Sequence, residues 1–211
     1  MTLQNKIDFS LIITVTNANP NGDPLNGNRP RDNFDGHGEI SDVCIKSKIR
    51  NRLQDMGEKI FVQSEDHHND GYNSLNERVD NNEALKAVTN GKKTNKKEFE
   101  KISCDEWIDV RSFGQVFAFK DKKKKNNSEE NGDDGGVSVG VRGPVTIQQA
   151  ISISPIDIIS EKITKCVNNE STEGRGPDTM GDKNRVEFGA YVINGSINCQ
   201  LAEKTGFSEE D

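Results

Sequence analysis

Near the start of the chain an alternating run limits the fold more than any other feature. Ile7, Phe9, Leu11, Ile13 and Val15 are apolar and are separated by mostly polar residues. A period of two places all five on one side of an extended chain, which predicts a β-strand with one buried face. The run feeds into Asn17-Ala-Asn-Pro-Asn-Gly-Asp-Pro-Leu-Asn-Gly-Asn28, where nearly every residue favours a turn. The polar character continues to Gly38. A connection that long inside a compact domain is usually functional or disordered.

A helix is expected next. Ser41 suits the N-cap and Asp42 the first turn, where the helix dipole favours an acid. Ile45, Ile49, Leu53 and Met56 form one apolar stripe, and Gly57 suits the position after the last turn. Ile60–Val62 reads as a short strand. The stretch 64–101 is polar, with weak helical spacing at Leu75, Val79, Leu85 and Val88. Trp107, Val110, Phe113 and Phe117 suit a helix better than a strand. Residues 121–136 pass from lysines to acids and predict a mobile loop. Val137–Val141 and Val145–Ile153 read as strands divided by Gly143-Pro144. Residues 171–183 predict a second long loop, and Val186–Leu201 is strand-like, with Asn194-Gly195 either a hairpin turn or a bulge. The organisation expected is a single domain over 1–211 with insertions at about 64–104, 121–136 and 171–186. Ser208-Glu209-Glu210-Asp211 has the form of a helix start.

Charge qualifies the functional reading. The chain carries a net charge of −7, with 31% hydrophobic and 30% charged residues. A nucleic-acid binder usually shows a basic domain. However, the acids concentrate at Glu129, Glu130, Asp133, Asp134 and at Glu209–Asp211, whereas Arg29, Arg31, Lys46, Lys48, Arg50 and Arg52 cluster between positions 28 and 59. Cations gathered on one element can follow a phosphate backbone, and asparagines and free loop amides add hydrogen bonds to phosphate and ribose. A second group, Arg175, Lys183 and Arg185, surrounds Met180. The bland reading of either group is a solvated face.

Other chemistries find less support. The four cysteines lack a CxxC pair, which argues against zinc. Asn17, Asn19, Asn21 and Gly22 imitate a calcium loop, but its twelfth position is Asn28, where a bidentate glutamate is required. Asp23, Asp32 and Asp35 with His37 suggest a metal nuclease, although carboxylates in such loops more often form turns and caps. His67-His68 reads as surface. No phosphate-cradling glycine motif or nucleophile elbow is present. The expectation is therefore no cofactor and no metal. The polar N-terminus shows no export signal and no apolar run reaches the ~20 residues of a membrane span, so a cytoplasmic, non-membrane protein is expected.

Several motifs occur together in order: NPNGDP at 19–24, NRPR at 28–31, SDVCIKSKIRN at 41–51, DVRSFG at 109–114, RGPV at 142–145, ISISPI at 151–156, and TMG at 179–181 before GAY at 189–191. With them, the chain resembles the multi-copy backbone subunit of type I CRISPR Cascade complexes, most closely subtype I-C and next subtype I-B. The resemblance spans residues 7 to about 201. It implies an α+β fold, a modified RNA-recognition-motif (ferredoxin-like) antiparallel β-sheet with helices on one face and long inserted loops. It also implies a non-catalytic scaffold that holds guide RNA by its backbone in a filament and leaves base edges free for target DNA. Partners would be guide RNA, target DNA through the guide, copies of the chain and other Cascade subunits.

Carried over residue by residue, the 17–38 loop and following helix nominate Asn19, Asn21, Arg29, Arg31, Lys46, Lys48 and Arg50 as RNA contacts. A thumb-like segment at 171–186 nominates Met180, Lys183 and Arg185. An aromatic stacking surface is not expected, because the phenylalanines fall on core-like positions. The family would continue with a further helix and strand, so the chain is expected to be truncated at its C-terminus. Two alternatives stay open: a metal-dependent ribonuclease using a loop aspartate, and a protein-interaction module without RNA binding.

Overall fold

The computed structural model describes residues 1–89, 95–119, 137–164 and 180–211. The chain forms a mixed α/β structure with antiparallel strand pairing and divides into two compact units. One unit comprises Met1–Asp8, Lys46–Thr146 and Gly195–Asp211; the other comprises Phe9–Ile45 and Ile147–Asn194.

The second unit is organised by a six-stranded sheet. Its path runs β1 (Ile7–Ala18), β10 (Met180–Ile197), β8 (Ala150–Pro155) and β4 (His37–Ile40), and both β7 (Val145–Ile147) and β9 (Ile158–Thr164) also pair with β10. β10 runs antiparallel to β8, with Tyr191 opposite Ser152, and to β9, from Met180 opposite Thr164 to Val186 opposite Ile158. The alternation in β1 does produce a strand. Val15 is buried, but Ile7, Leu11 and Ile13 on the same face remain exposed, so the face expected to be buried is largely open.

Two glycines allow Tyr191 to be fully buried. A Cβ on Gly38 would lie 2.4 Å from the tyrosine hydroxyl, and one on Gly189 would lie 2.9 Å from its ring. Both distances are shorter than real contacts, so the glycine of the GAY motif is explained by close packing. Gly38 also donates its N–H to Ser152 Oγ, and His37 Nδ1 donates to the Ser152 carbonyl.

Helix α1 (Asp42–Asp55) begins and ends as its sequence requires. Ser41 Oγ accepts from Cys44 N–H at the start. At the end, Gly57 takes φ +94°, its N–H bonds to the Gln54 carbonyl and the Glu58 N–H to the Leu53 carbonyl. That pair of bonds is a Schellman motif, and glycine is favoured there because it adopts left-handed φ without a Cβ clash.

The first unit has its own core. α2 (Leu75–Asn81), α3 (Glu83–Thr89), α4 (Lys96–Glu106) and α5 (Ile108–Phe113) pack with the hairpin of β5 (Gly114–Phe119) and β6 (Val137–Arg142). Phe61, Leu85, Phe99, Trp107, Val110, Phe117 and Val139 form one buried cluster. Phe61 meets Trp107 and Phe117 with ring centroids 4.7 and 5.1 Å apart, and Phe99 meets Phe117 edge-on at 5.0 Å. Such tilted aromatic pairs contribute beyond their buried area. In the same core, burial pushes the Cys104 thiol up to about 12, which leaves it inert as a nucleophile.

The fully buried Asp109 carboxylate ties this unit together. It accepts the N–H of Phe61 at 2.7 Å, the N–H of Val62 at 3.0 Å and Nε of Arg50 at 3.2 Å. The glycines of the SFG and RGP motifs meet nearby. A Cβ on Gly114 would approach Val141 O to 2.4 Å, and one on Gly143 would approach Ser112 O to 2.3 Å. A small satellite core of Leu3, Ala202 and Phe207 lies against α6 (Cys199–Thr205).

Several local expectations need correction. Phe117 lies in β5, because Gly114, at φ +79°, ends α5 and starts the hairpin. Ile60–Val62 forms no strand; the Asp109 carboxylate takes two of its N–H groups in place of a ladder partner. Val145–Ile153 divides into β7 and β8. β10 passes through Asn194-Gly195 without turning and stops at Ile197, so Leu201 belongs to α6. Met56, expected on the buried stripe of α1, is exposed. The loop predicted at 121–136 lies outside the described residues. At Ser208–Asp211, Ser208 Oγ accepts from Asp211 N–H while Asp211 Oδ2 accepts from Ser208 N–H, the reciprocal pair of a capping box.

Asp109→Ala would leave two buried N–H groups and the Arg50 guanidinium without their acceptor. The expected loss is ~3–5 kcal/mol of stability, measured by urea unfolding, with the larger part retained in Asp109→Asn. A loss below ~1 kcal/mol would show that the carboxylate is not the tie described here.

Candidate nucleic-acid interface

In the second unit, the turn-rich loop folds on its own asparagines. Asn19 Nδ2 donates to the Asn28 carbonyl at 2.6 Å, and Asn21 Oδ1 accepts the Ser41 N–H at 2.9 Å. The Asn21 carbonyl also accepts the Arg31 N–H. Between them β2 (Gly22–Asp23) pairs with β3 (Arg29–Pro30), closed by the Asn26 and Asn28 N–H groups on the Asp23 carbonyl. Gly27 and Asn28 both adopt left-handed φ, which Gly and Asn tolerate best. A Cβ on Gly22 would strike Asn28 Oδ1 at 1.9 Å. The loop is therefore an ordered element. Asn19 and Asn21 hold it together from within, while Arg29 and Arg31 are carried on its returning limb.

The β9–β10 ladder extends from the sheet as a two-stranded arm that carries the other nominated residues. Met180, at its start, is exposed, as is Lys183. The remainder of the expected thumb, 171–179, including Arg175, lies outside the described residues. Lys183 stands opposite Glu161, and Arg185 lies on the same face two residues along. Arg185 grips Glu161 with both terminal nitrogens, at 2.6 and 2.7 Å. That hydrogen-bonded pairing, with the Arg185 charge and a smaller contribution from Lys183, holds the Glu161 carboxyl below its ordinary 4.5 and raises the Arg185 guanidinium. On the other face Lys162 pairs with Asp182 at 2.6 Å.

Loop and arm are joined. Asn184 Nδ2 donates to the Gly27 carbonyl at 3.1 Å, and Arg185 Nε lies 3.4 Å from Asn17 Oδ1. Arg31 comes within 3.6 Å of Asp23. Arg29 and Lys183 form no salt bridge with a described residue. Within this unit, then, the structure brings together Asn19, Asn21, Arg29, Arg31, Lys183 and Arg185.

Lys46, Lys48 and Arg50 belong to the first unit. Lys48 is exposed on α1. Arg50 is different: its side chain is 14% exposed, bonded to Asp109, and lies over the Phe113 ring at 5.2 Å. Its charge holds the core together at least as directly as it faces outward.

The expected absence of exposed aromatics does not hold. Phe34 is fully exposed and Phe188 more than half so. Phe34 sits at the tip of a tight hairpin: Asn33 Oδ1 accepts the N–H groups of Asp35 and His37, and the Glu39 N–H bonds to the Arg31 carbonyl. The available signal was the lack of any apolar periodicity around Phe34, which sits among Asn, Asp and Gly.

Of the aspartates of the nuclease alternative, Asp23 serves the backbone through its side chain, while Asp35 and Asp32 are placed by their own backbone groups. Asp23 Oδ1 accepts the Leu25 N–H, Asp35 occupies the hairpin turn and Asp32 bridges to Gly38. Among the described residues, no group of three or more His, Cys, Asp or Glu side chains is placed to hold a metal ion. No helix among them is long and apolar enough to cross a membrane.

The sequence model of the family described as CRISPR-associated protein Cas7 matches residues 5–211. The chain belongs to the Cas7 family. A relative named CRISPR-associated protein Cas7, from Haloferax volcanii, is 26% identical over 225 aligned positions. All of this chain is covered, and 62% of the relative, so the chain spans less than two thirds of that protein's length. A solved chain from a structure titled "CRISPR RNA-guided surveillance complex, pre-nicking" shares the fold with a TM-score of 0.51 and 13% identity, covering 98% of this Cas7-family chain and 68% of its own.

Arg185→Gln should release Glu161. Its folded-state pKa is depressed, so the pairing supports the arm above pH 4.5 and fades as acid protonates the carboxylate below that value. In the variant, the Glu161 carboxyl resonance followed by NMR titration should move up towards 4.5. An unchanged titration would show that the two side chains do not pair in solution.

Proposed function

We propose that this Cas7-family chain is a non-catalytic scaffold that holds a CRISPR guide RNA by its phosphate–ribose backbone. The carrying observation is the self-locked loop of the second unit. Asn19 Nδ2 and Asn21 Oδ1 are occupied internally, while Arg29 stays without a salt bridge to a described residue in a loop joined to an arm that bears Lys183. A binder of any guide sequence must grip backbone and ignore base identity, and a rigid loop that presents cations suits that task. Exposed Phe34 adds a surface on which a base of any identity can stack.

The finer reading extends the family resemblance. The antiparallel sheet with its β9–β10 arm supports a modified RNA-recognition-motif fold carrying a thumb. The chain would act in several copies beside other Cascade subunits, with target DNA reached through the guide, in a cytoplasmic complex of subtype I-C or the similar subtype I-B. Met180 would lie in the thumb, and Lys46 and Lys48 would add phosphate contacts.

Salt dependence tests this directly. Single-stranded RNA affinity should fall linearly with log salt concentration. The slope should become shallower by about 1.4 in Arg29→Glu/Lys183→Glu, at ~0.7 per lost contact on a single strand. An unchanged slope in that variant would remove both residues from the interface. Absence of binding at low salt by folded protein would overturn the RNA-binding reading.

A further inference from the structure

The first unit contains a cavity of about 340 Å³ formed at the end of α1, the segment after it, α2 and Trp107. That volume is at the small end of ligand pockets, which run from ~300 to 1,000 Å³. Its chemistry is one-sided.

Gln54 lines the cavity and is 93% buried, being 7% exposed. Its Nε2 donates to the His67 carbonyl at 2.6 Å, which fixes the orientation of the amide. Oε1 is left buried with no donor among the described residues. A buried acceptor without a donor is costly, so this oxygen calls for an N–H or O–H group.

The charges around it agree. Arg78 is bonded to Asp70 at 2.5 and 3.1 Å, and Lys59 is paired with Glu106 at 2.9 Å. Burial raises the Asp70 carboxyl, but the Arg78 hydrogen bond, the Tyr72 N–H and the Arg78 charge together outweigh it and hold the group below its ordinary range. Glu58 is exposed at the cavity and makes no ion pair with a described residue. Three carboxylates thus face two cations, and the excess is negative. Trp107 and Tyr72 add aromatic surface, and aromatic faces attract cations. Phosphate or another anion would meet the wrong sign.

We propose that this cavity binds a donor-rich cation, a guanidinium or alkylammonium group, with an N–H on Gln54 Oε1 and the charge facing Glu58. The group can come from an arginine or lysine side chain of another polypeptide or from a free amine such as a polyamine. The inference is independent of RNA binding, since every residue it uses lies in the first unit and none is a nominated RNA contact.

Trp107 is the sole tryptophan of the chain and lines the cavity, so a change at the cavity is read without interference from another tryptophan. Methylguanidinium, at constant ionic strength, should change that fluorescence saturably, while its neutral near-isostere N-methylurea should not. Glu58→Gln, at an exposed position that folding does not require, should weaken binding about threefold. Gln54→Met should weaken it about tenfold, with thermal unfolding measured alongside because the variant also removes the donor to the His67 carbonyl. Comparing an acetylated, amidated arginine peptide with spermidine then distinguishes the sources, the tighter of the two indicating a polypeptide or a free amine. A non-saturating response, an equal response to N-methylurea, or full affinity in Glu58→Gln would overturn the proposal.

Discussion

The first unit depends on one buried carboxylate. Asp109 accepts two backbone N–H groups from Phe61 and Val62 and one from the Arg50 guanidinium. Burying a charge is expensive unless it is paired and hydrogen-bonded, and here both conditions hold. The consequence is geometric. The segment after α1 can lie against α5 without belonging to a sheet, which places Phe61 between Trp107 and Phe117. The DVRSFG motif thereby acquires a physical meaning. Its aspartate satisfies backbone donors, and its glycine allows the backbone to come close to Val141 and Gly143.

The same economy governs the second unit, with amides in place of a carboxylate. A polar loop of turn residues is ordered because Asn19 and Asn21 satisfy backbone groups on the opposite limb and at the start of α1. Residue types that would suit direct RNA contact are used here to shape the surface that presents the arginines. Recognition would then rest on a few cations held in place. A chain of net charge −7 thus still holds a local group of cations in place. The arm follows a similar rule, because Glu161 pairs with Arg185 and neutralises its charge, leaving Lys183 opposite without a salt bridge to a described residue.

Much of the fold was legible in order along the chain. The period of two in β1, the Ser41 cap and Gly57 stop of α1, and the turn-rich loop all carry their signals within a few residues. The errors share one cause. Phe117 fits a helical stripe, but the stripe is broken by Gly114, whose positive φ is set by backbone packing against Gly143. Phe34 and Phe188 looked like core because they are phenylalanines, yet exposure depends on which neighbours arrive. Arg50 looked like one of several equivalent helix cations until Asp109, fifty-nine positions away, was placed beside it.

The sequence by itself determined the local elements, the family resemblance and the concentration of cations between positions 28 and 59, because periodicity, capping and motif order are short-range properties. Only the tertiary structure decided which polar side chains are consumed internally and which remain available. Asn19 Nδ2, Asn21 Oδ1 and Arg50 were recruited by partners, while Gln54 Oε1 and Asn19 Oδ1 were left without one. A hydrogen bond needs its donor and acceptor within about 3 Å, and residues far apart in the chain reach that distance only once the core has packed.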